Sequence, residues 1–293
     1  MPATTEPSTD ALREQQRGLD KLELALPQPK SRARRIWFAI WPKVAAVGLF
    51  FFIWQCIVWS GWKPDYVLRG PVPVLERLFT DFDLYWEAAM RTLQRGVTGF
   101  LLAVAIGTLV GAAVARVPVL RSAVGSMITG LQTMPSIAWF PLAVMLFQLS
   151  EGAILFVVVL GAAPSVANGL IAGIDTIPPI MLRTGRVLGA HGLATFRYVI
   201  LPAAFPTFVG GLKQGWAFAW RSLLAGELLV LIAGKFSLGQ RLQASAEFSD
   251  GAGVLAAMIV IFFVGVVIDA LFFAQAERWV RRRYGLVDEA AAQ

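Results

Sequence analysis

The chain has 293 residues, of which 57% are apolar and only 15% charged, with ten tryptophans, one histidine and one cysteine. Soluble domains carry roughly a quarter charged residues, so this composition belongs to the membrane class. The lone Cys56 and lone His191 exclude an intrachain disulfide and a Cys/His metal cluster. The net charge of +7 reads as basic residues that hold loops on the inner side of a membrane, not as a nucleic-acid surface.

Residues 1–35 are polar, contain Pro2, Pro7, Pro27 and Pro29, and end in KSRARR. They lack the apolar core of a secretory signal and read as a disordered cytoplasmic tail. Crossing a hydrocarbon core of about 30 Å takes roughly 20 helical residues, and Val44–Trp62 is the first run that qualifies. The loop Lys63–Arg95 follows, with five basic and five acidic residues. Within it, DFDLYWEAAMRTLQRG places Phe82, Trp86, Ala89, Met90 and Leu93 near one helical face. It reads as an interfacial helix leading into the second span, with a plain loop as the alternative.

Gly96–Ala115, Ser122–Ser150 and Gly152–Ile174 are the next three runs. Pro135 and Pro141 interrupt the third run and Pro164 the fourth. The freed carbonyls require these helices to pack on protein or line a cavity. Gly107–Gly111 and Gly211–Gly215 have GxxxG spacing, which lets helix backbones approach closely in lipid. Tyr198–Gly234 is the fifth candidate although it contains Lys213, Arg221 and Glu227, and Gly251–Ile268 with the following ALFFAQA is the sixth. The basic segments KSRARR, ARVPVLR, the stretch with Arg183, Arg186 and Arg197, and ERWVRRRYG fall on one side if both termini are inside, which requires an even number of spans. Trp37, Trp41, Trp59, Trp62 and Trp279 lie near span ends and read as an aromatic belt.

The longest inner connection is Asp175–Leu201. Thr176 is positioned to cap a helix, and IMLRTGRVLG sets Ile180, Met181, Thr184, Val187 and Leu188 on one side, with Arg183 and Arg186 on the other and Leu182 as an apolar exception. AHG breaks that helix, because glycine takes positive φ cheaply; LATFRYVI restarts it and Leu201-Pro202 opens the next span. A helix–turn–helix of this kind can dock a soluble partner, and a plain amphipathic loop is the competing reading.

No catalytic constellation accompanies these spans. A GxxxxGK[ST] phosphate loop is absent, since Gly234-Lys235 lacks the upstream glycine, so any ATP-derived energy is expected from another subunit. In the fifth span Gln214 and Arg221 share one face, and Trp220 and Glu227 another. Arg221 reads either as lining a path for an anion or as half of a structural ion pair, with Asp269 or with Glu227 of a second copy.

Gly189 followed after nine residues by Val199-Ile200-Leu201-Pro202 resembles the EAA-x3-G-x9-I-x-LP loop signature of binding-protein-dependent ABC importer permeases. Arg183, Thr184 and Gly185 occupy the EAA positions and depart from them. The likeness runs from about Arg91 to Gln275. RTLQRGVTGFLLAVAIGTLVGAAVA, LQTMPSIAWFPLAVMLF, GLKQGWAFAWRSLLAGELL and SLGQRLQASAEFSD are all similar to the nitrate, sulfonate and taurine branch; LFQLSE at Leu146–Glu151 differs from the WFGxGE common there.

The resemblance implies an all-α, polytopic six-helix membrane bundle of the type I ABC importer permease fold. It divides the chain into a tail (1–35), a first span and external loop (36–90), a permease core (91–276) with a coupling loop (175–202), and a cytoplasmic C-terminal tail (277–293). It assigns contact with an ABC ATPase to Gly185, Gly189, Ala190, His191, Gly192, Val199, Leu201 and Pro202, and a translocation path to Gln214, Arg221 and Glu227. The implied chain is no enzyme and holds no cofactor, ATP and Mg being bound by the ATPase. Its implied partners are ATPase subunits, an extracytoplasmic solute-binding protein, a second copy of itself and membrane lipid, in a bacterial-type inner membrane. The implied cargo is a small anion: sulfonate or taurine first, nitrate or bicarbonate next. An ion-gradient-driven secondary carrier is the rival, which favours inverted repeats and acidic residues at the midplane. An intramembrane enzyme would need paired catalytic groups at membrane depth.

Overall fold

The computed structural model describes residues 32–232, 234 and 236–285. Among them the regular structure is entirely helical, and two compact units meet at Ser60/Gly61. The first is α1, Arg32–Trp59, so the last residues of the expected tail, 32–35, are already helical; the rest of that tail lies outside the described residues. Ile40–Trp59 of α1 is long and apolar enough to cross a membrane.

The second unit begins with a helix the sequence did not announce, α2 (Pro71–Thr80), started by a proline in its first turn, where a missing N–H costs nothing. Next comes α3 (Phe82–Arg116), a single 35-residue helix that fuses the expected interfacial helix with the second span. Of the five residues of the expected apolar face only Ala89 is buried; the largest ones point outward, where an interfacial helix presents them to lipid. Phe82, Trp86 and Met90 are exposed, whereas Tyr85, Ala88, Ala89, Thr92, Arg95, Gly96 and Gly99 are buried. Lipid tails are as apolar as leucine, so bulky apolar side chains gain little by turning inward, while small and polar ones need protein around them.

The third apolar run is not one straight span. It forms α4 (Pro118–Thr133), a 3₁₀ turn (Ser136–Trp139) and α5 (Phe140–Phe147), with a 103° bend between the two halves. Pro135 excludes Met134 from helical angles, and Met134 sits at φ −75°, ψ 130°. The bent pair still carries the chain from one end of the unit to the other. At the start of α6 (Glu151–Asp175), Glu151 meets Arg95 of α3; at its end, Asp175 pairs with Arg121 just beyond α3. Since α3 and α6 run the same way, residues 117–150 return the full length between them. Counting α1, the described residues hold five unbroken helices long and apolar enough to cross a membrane, and six such segments with the bent pair.

α6 is the central helix, with 56% of its most apolar stretch buried. Both GxxxG pairs point at it. A Cβ on Gly107 would lie 2.5 Å from Ala163 O and one on Gly111 2.9 Å from Ala167 O; from α8 (Leu201–Leu229), a Cβ on Gly211 would lie 2.5 Å from Gly169 Cα. The core around it is built from Ala103, Phe140, Ile154, Val157, Val158, Ala219 and Leu223.

The connection between the fifth and sixth runs contains α9 (Leu238–Glu247), begun by Gln240 accepting from Ser237 N at 3.1 Å. α10 (Gly251–Ile268), a wide turn (Asp269–Phe273) and α11 (Ala274–Arg283) form the last crossing.

Candidate functional site

Two sites stand at opposite ends of the second unit. The first is the hairpin between α6 and α8. Here α7 (Pro179–Val187) forms where the periodicity places it. The expected cap does not: Thr176 Oγ1 donates to Gly173 O at 3.2 Å, closing the last turn of α6, and no side chain caps α7. Gly189 at φ +85° and Gly192 at φ +56° turn the chain through a conformation that L side chains rarely adopt. Backbone bonds Gly189 N to Arg186 O and Ala190 N to Gly185 O secure the first half of the turn. His191 Nδ1 donating to Gly189 O at 3.0 Å and Thr195 Oγ1 donating to Ala190 O at 2.7 Å secure the second. The returning chain passes through a wide turn, Phe196–Ile200, into α8, where Leu201-Pro202 forms the first turn.

Gly185 is buried because α7 crosses the returning strand of the hairpin there; a Cβ would come 2.8 Å from Val199 Cγ2. The departure from the EAA pattern at this position is thus a packing solution, with no side chain at the crossing. Gly189, His191 and Gly192 are exposed, Ala190, Val199 and Pro202 half-buried, and Leu201 is exposed on its outer side. The tip is the unusual part. Val187, Leu188 and Leu193 are 86%, 80% and 77% exposed, flanked by exposed Ile180 and Met181 and by the cations Arg183 and Arg186. Three large apolar side chains on one turn, ringed by charge, form the kind of patch that marks a protein contact. Arg116, at the end of α3, lies 4.8 Å from the Phe196 ring centroid and ties the hairpin to the helix above it.

The second site is a buried ion network at the far end. Glu227 is fully buried. Its Oε1 accepts from Arg95 Nη1 at 3.1 Å; its Oε2 accepts from Thr92 Oγ1 at 2.9 Å and from Gly239 N at 3.1 Å. Arg95, also buried, reaches Glu151 Oε1 at 2.7 Å with its other arm, and Thr92 Oγ1 accepts from Leu238 N at 2.9 Å. Four helices, α3, α6, α8 and α9, are therefore fastened through three charges, with the Gly239 N–H in the first turn of α9 directed at the carboxylate. A buried charge is tolerable only when paired and hydrogen-bonded in this way.

The network regroups the polar residues of the fifth span. Glu227 spends its carboxylate inside the protein, whereas Gln214 and Arg221 share an exposed face of α8. Arg221 Nε donates to Ala217 O of its own helix at 3.1 Å, and its guanidinium lies 4.8 Å from the Phe218 ring centroid. Asp269 does not meet Arg221; it pairs with Lys213 at 3.6 Å. Sequence reasoning overlooked Thr92, Arg95 and Glu151, because charge-free runs were counted from Gly96 and Gly152 and so excluded the residues beside them. An arginine and a glutamate each directly preceding such a run was the available signal.

This arrangement defines an all-helical, polytopic membrane bundle. The chain belongs to the family of binding-protein-dependent transport system inner membrane components, matched over residues 103–282. It is thus the permease subunit of a binding-protein-dependent ABC importer, a transport component and not an enzyme. It is 27% identical over 234 residues to the taurine transport system permease protein TauC of Escherichia coli (strain K12), covering 77% of this chain and 84% of that one. It is 30% identical over 205 residues to the nitrate import permease protein NrtB of Leptolyngbya laminosa, covering 69% and 71%. In architecture it resembles a crystal structure of an amino acid ABC transporter, with a TM-score of 0.54 at 19% identity over 69% of this chain and 96% of that one.

Proposed function

We propose that this chain couples the closure of a cytoplasmic ATPase to alternating access for a small anion. The observation that carries the reading is the hairpin tip, where Val187, Leu188 and Leu193 stand exposed on a turn fixed by Gly189 and Gly192. That tip seats in the ATPase, which binds ATP and Mg, and the hairpin end is the cytoplasmic one. Motion at the tip passes into α8 through the continuous turn at Phe196–Ile200 and into α3 through Arg116 on Phe196. The residues 175–202 act as the coupling loop, with Gly185 and Val199 holding its two halves together and Ala190, His191, Leu201 and Pro202 framing the turn.

Two copies of the chain enclose the path. An ionised side chain at membrane depth faces protein or water, which directs Gln214 and Arg221 toward the second copy and the path between them. Arg221 offsets the charge of a passing anion without a fixed tight site, since a conducting path has to release what it binds. Glu227 contributes from behind, by holding α8 in place. A solute-binding protein delivers the anion at the far, extracytoplasmic end. The nitrate system among the relatives supports an anion as cargo, with bicarbonate in the same chemical class, and the taurine system supports a solute that carries an anionic sulfonate group. A gradient-driven carrier would have no use for an apolar tip outside the membrane.

Gly189→Glu tests the coupling. No atom lies within 4 Å of a Cβ built there, so the side chain has room, but it adds strain at φ +85° and a carboxylate on the docking surface. The variant should reach the membrane in normal amount and fail to transport. Normal transport by it would refute the docking role.

A further inference from the structure

At the end of the second unit away from the hairpin, α2, α3, α9 and the start of α10 surround a polar pocket of about 230 Å³. That is below the roughly 300–1,000 Å³ of a drug-sized site and suits a small solute. Arg77, Asp81, Tyr85, Phe236, Arg241 and Asp250 line it. Most of its charges already have partners. Arg77 Nε pairs with Asp81 at 2.9 Å and its Nη2 with Asp250 at 3.5 Å, while Asp250 Oδ1 accepts from Gly253 N at 3.1 Å.

Arg241 differs. Its guanidinium carbon lies 5.8 Å from the ring centroid of Tyr85 and 5.9 Å from that of Phe236. Rings stabilise the cation without offering a hydrogen-bond acceptor in the guanidinium plane. Its Nε is buried and has no hydrogen-bond partner. A buried donor left unmade is costly, and a planar guanidinium is suited to a two-oxygen acceptor. An oxyanion seated in the pocket would complete the hydrogen bonding of this side chain.

The rest of the pocket restricts which one. Two guanidiniums and two carboxylates line it, so the charges cancel. A bare anion drawn to Arg241 is repelled by Asp81 and Asp250, whereas a solute carrying both signs gains at both. We propose that this pocket is a binding site for a small zwitterion, with a sulfonate or carboxylate on Arg241 and an ammonium against Asp81 and Asp250. If the hairpin faces the cytoplasm, the pocket opens on the extracytoplasmic side. The proposal is independent of ATPase docking, because binding is read without ATP. An aminoethyl phosphate head group of a membrane lipid presents the same pair of charges, and the experiment separates the two sources.

The full chain, purified in lipid-depleted detergent, is titrated by calorimetry with taurine, ethanesulfonate and ethylamine. Taurine should saturate one site per chain, and each half-molecule should bind at least about tenfold more weakly, the effect of losing one charge-assisted contact. Arg241→Gln should abolish taurine binding with an unchanged unfolding midpoint. Arg241→Lys, which keeps the charge and loses the fork, should retain weak binding and confirms the role if the glutamine variant proves unstable. Equal affinity for ethanesulfonate and taurine would overturn the zwitterion assignment. Absence of saturable binding, or binding that survives Arg241→Gln, would overturn the site. Phosphatidylethanolamine that stays with the wild-type chain through purification and leaves the Arg241→Gln variant would assign the pocket to lipid and overturn the free-solute reading.

Discussion

The two ends of the second unit treat the same physical problem in opposite ways. At the far end charge is taken inside: the buried Arg95 and Glu227, with the half-buried Glu151, join four helices, and every oxygen of the Glu227 carboxylate has a donor. At the hairpin end apolar side chains are put outside, on a turn whose two glycines have no atoms near their missing side chains. The first arrangement fixes relative helix positions, because each donor and acceptor loses its partner if a helix slides. The second gains nothing from its own chain and waits for a surface to cover it. A rigid clasp at one end and an open contact at the other suit a device that is pushed from the hairpin end.

That contrast can be broken most severely at Glu227. Glu227→Leu should cost about 3–5 kcal/mol in unfolding experiments in mixed micelles, the usual loss on removing one member of a buried pair. Adding Arg95→Met should recover part of the loss, since no buried guanidinium is then left without Glu227 and the Glu151 it releases is more than a third exposed. A loss no larger than that of a surface substitution would mean that the clasp is not holding the far end. A smaller effect of opposite sign is expected at Gln148, which takes φ +56°, ψ −164° between α5 and α6, at the place where the family's WFGxGE pattern has glycine. Relieving a strained non-glycine backbone returns about 1 kcal/mol or somewhat more, so Gln148→Gly should raise the unfolding free energy by that amount. Smallest for stability is Arg221→Gln. Its bonds run to its own helix, so the unfolding midpoint should stay put while transport of an anion falls. A lowered midpoint with normal transport would make Arg221 a structural residue and remove it from the path.

How much of this was legible follows the range of the interactions. The hairpin could be read because its determinants are local: the period of 180–188, two glycines around Ala190-His191, and Leu201-Pro202 at the restart. The spans could be read because lipid imposes a length, and the GxxxG pairs did mark the faces of α3 and α8 that meet α6. The apolar Phe82–Leu93 face could be read from its period, but the burial of the opposite face, with Tyr85, Thr92 and Arg95, could not, because it depends on helices far along the chain. The bend at Met134-Pro135 was signalled by the proline but not its angle. The ion network was illegible as a unit: its members stand at 92, 95, 151, 227 and 239, and only the packing of both GxxxG helices on α6 brings them together. Glu227 was noticed as a charge in a span, but its partner lay outside every counted run.

The central claim is that the exposed hairpin tip is an ATPase contact, and its most direct test is co-purification from native membranes in mild detergent. The tagged wild-type chain should bring down a P-loop ATPase in near-equal amount, and a chain carrying Leu188→Asp should be extracted equally well without it. If the wild-type chain yields no ATPase even with nucleotide and crosslinker present, or if Leu188→Asp retains it undiminished, the tip is not the contact and the coupling account is wrong.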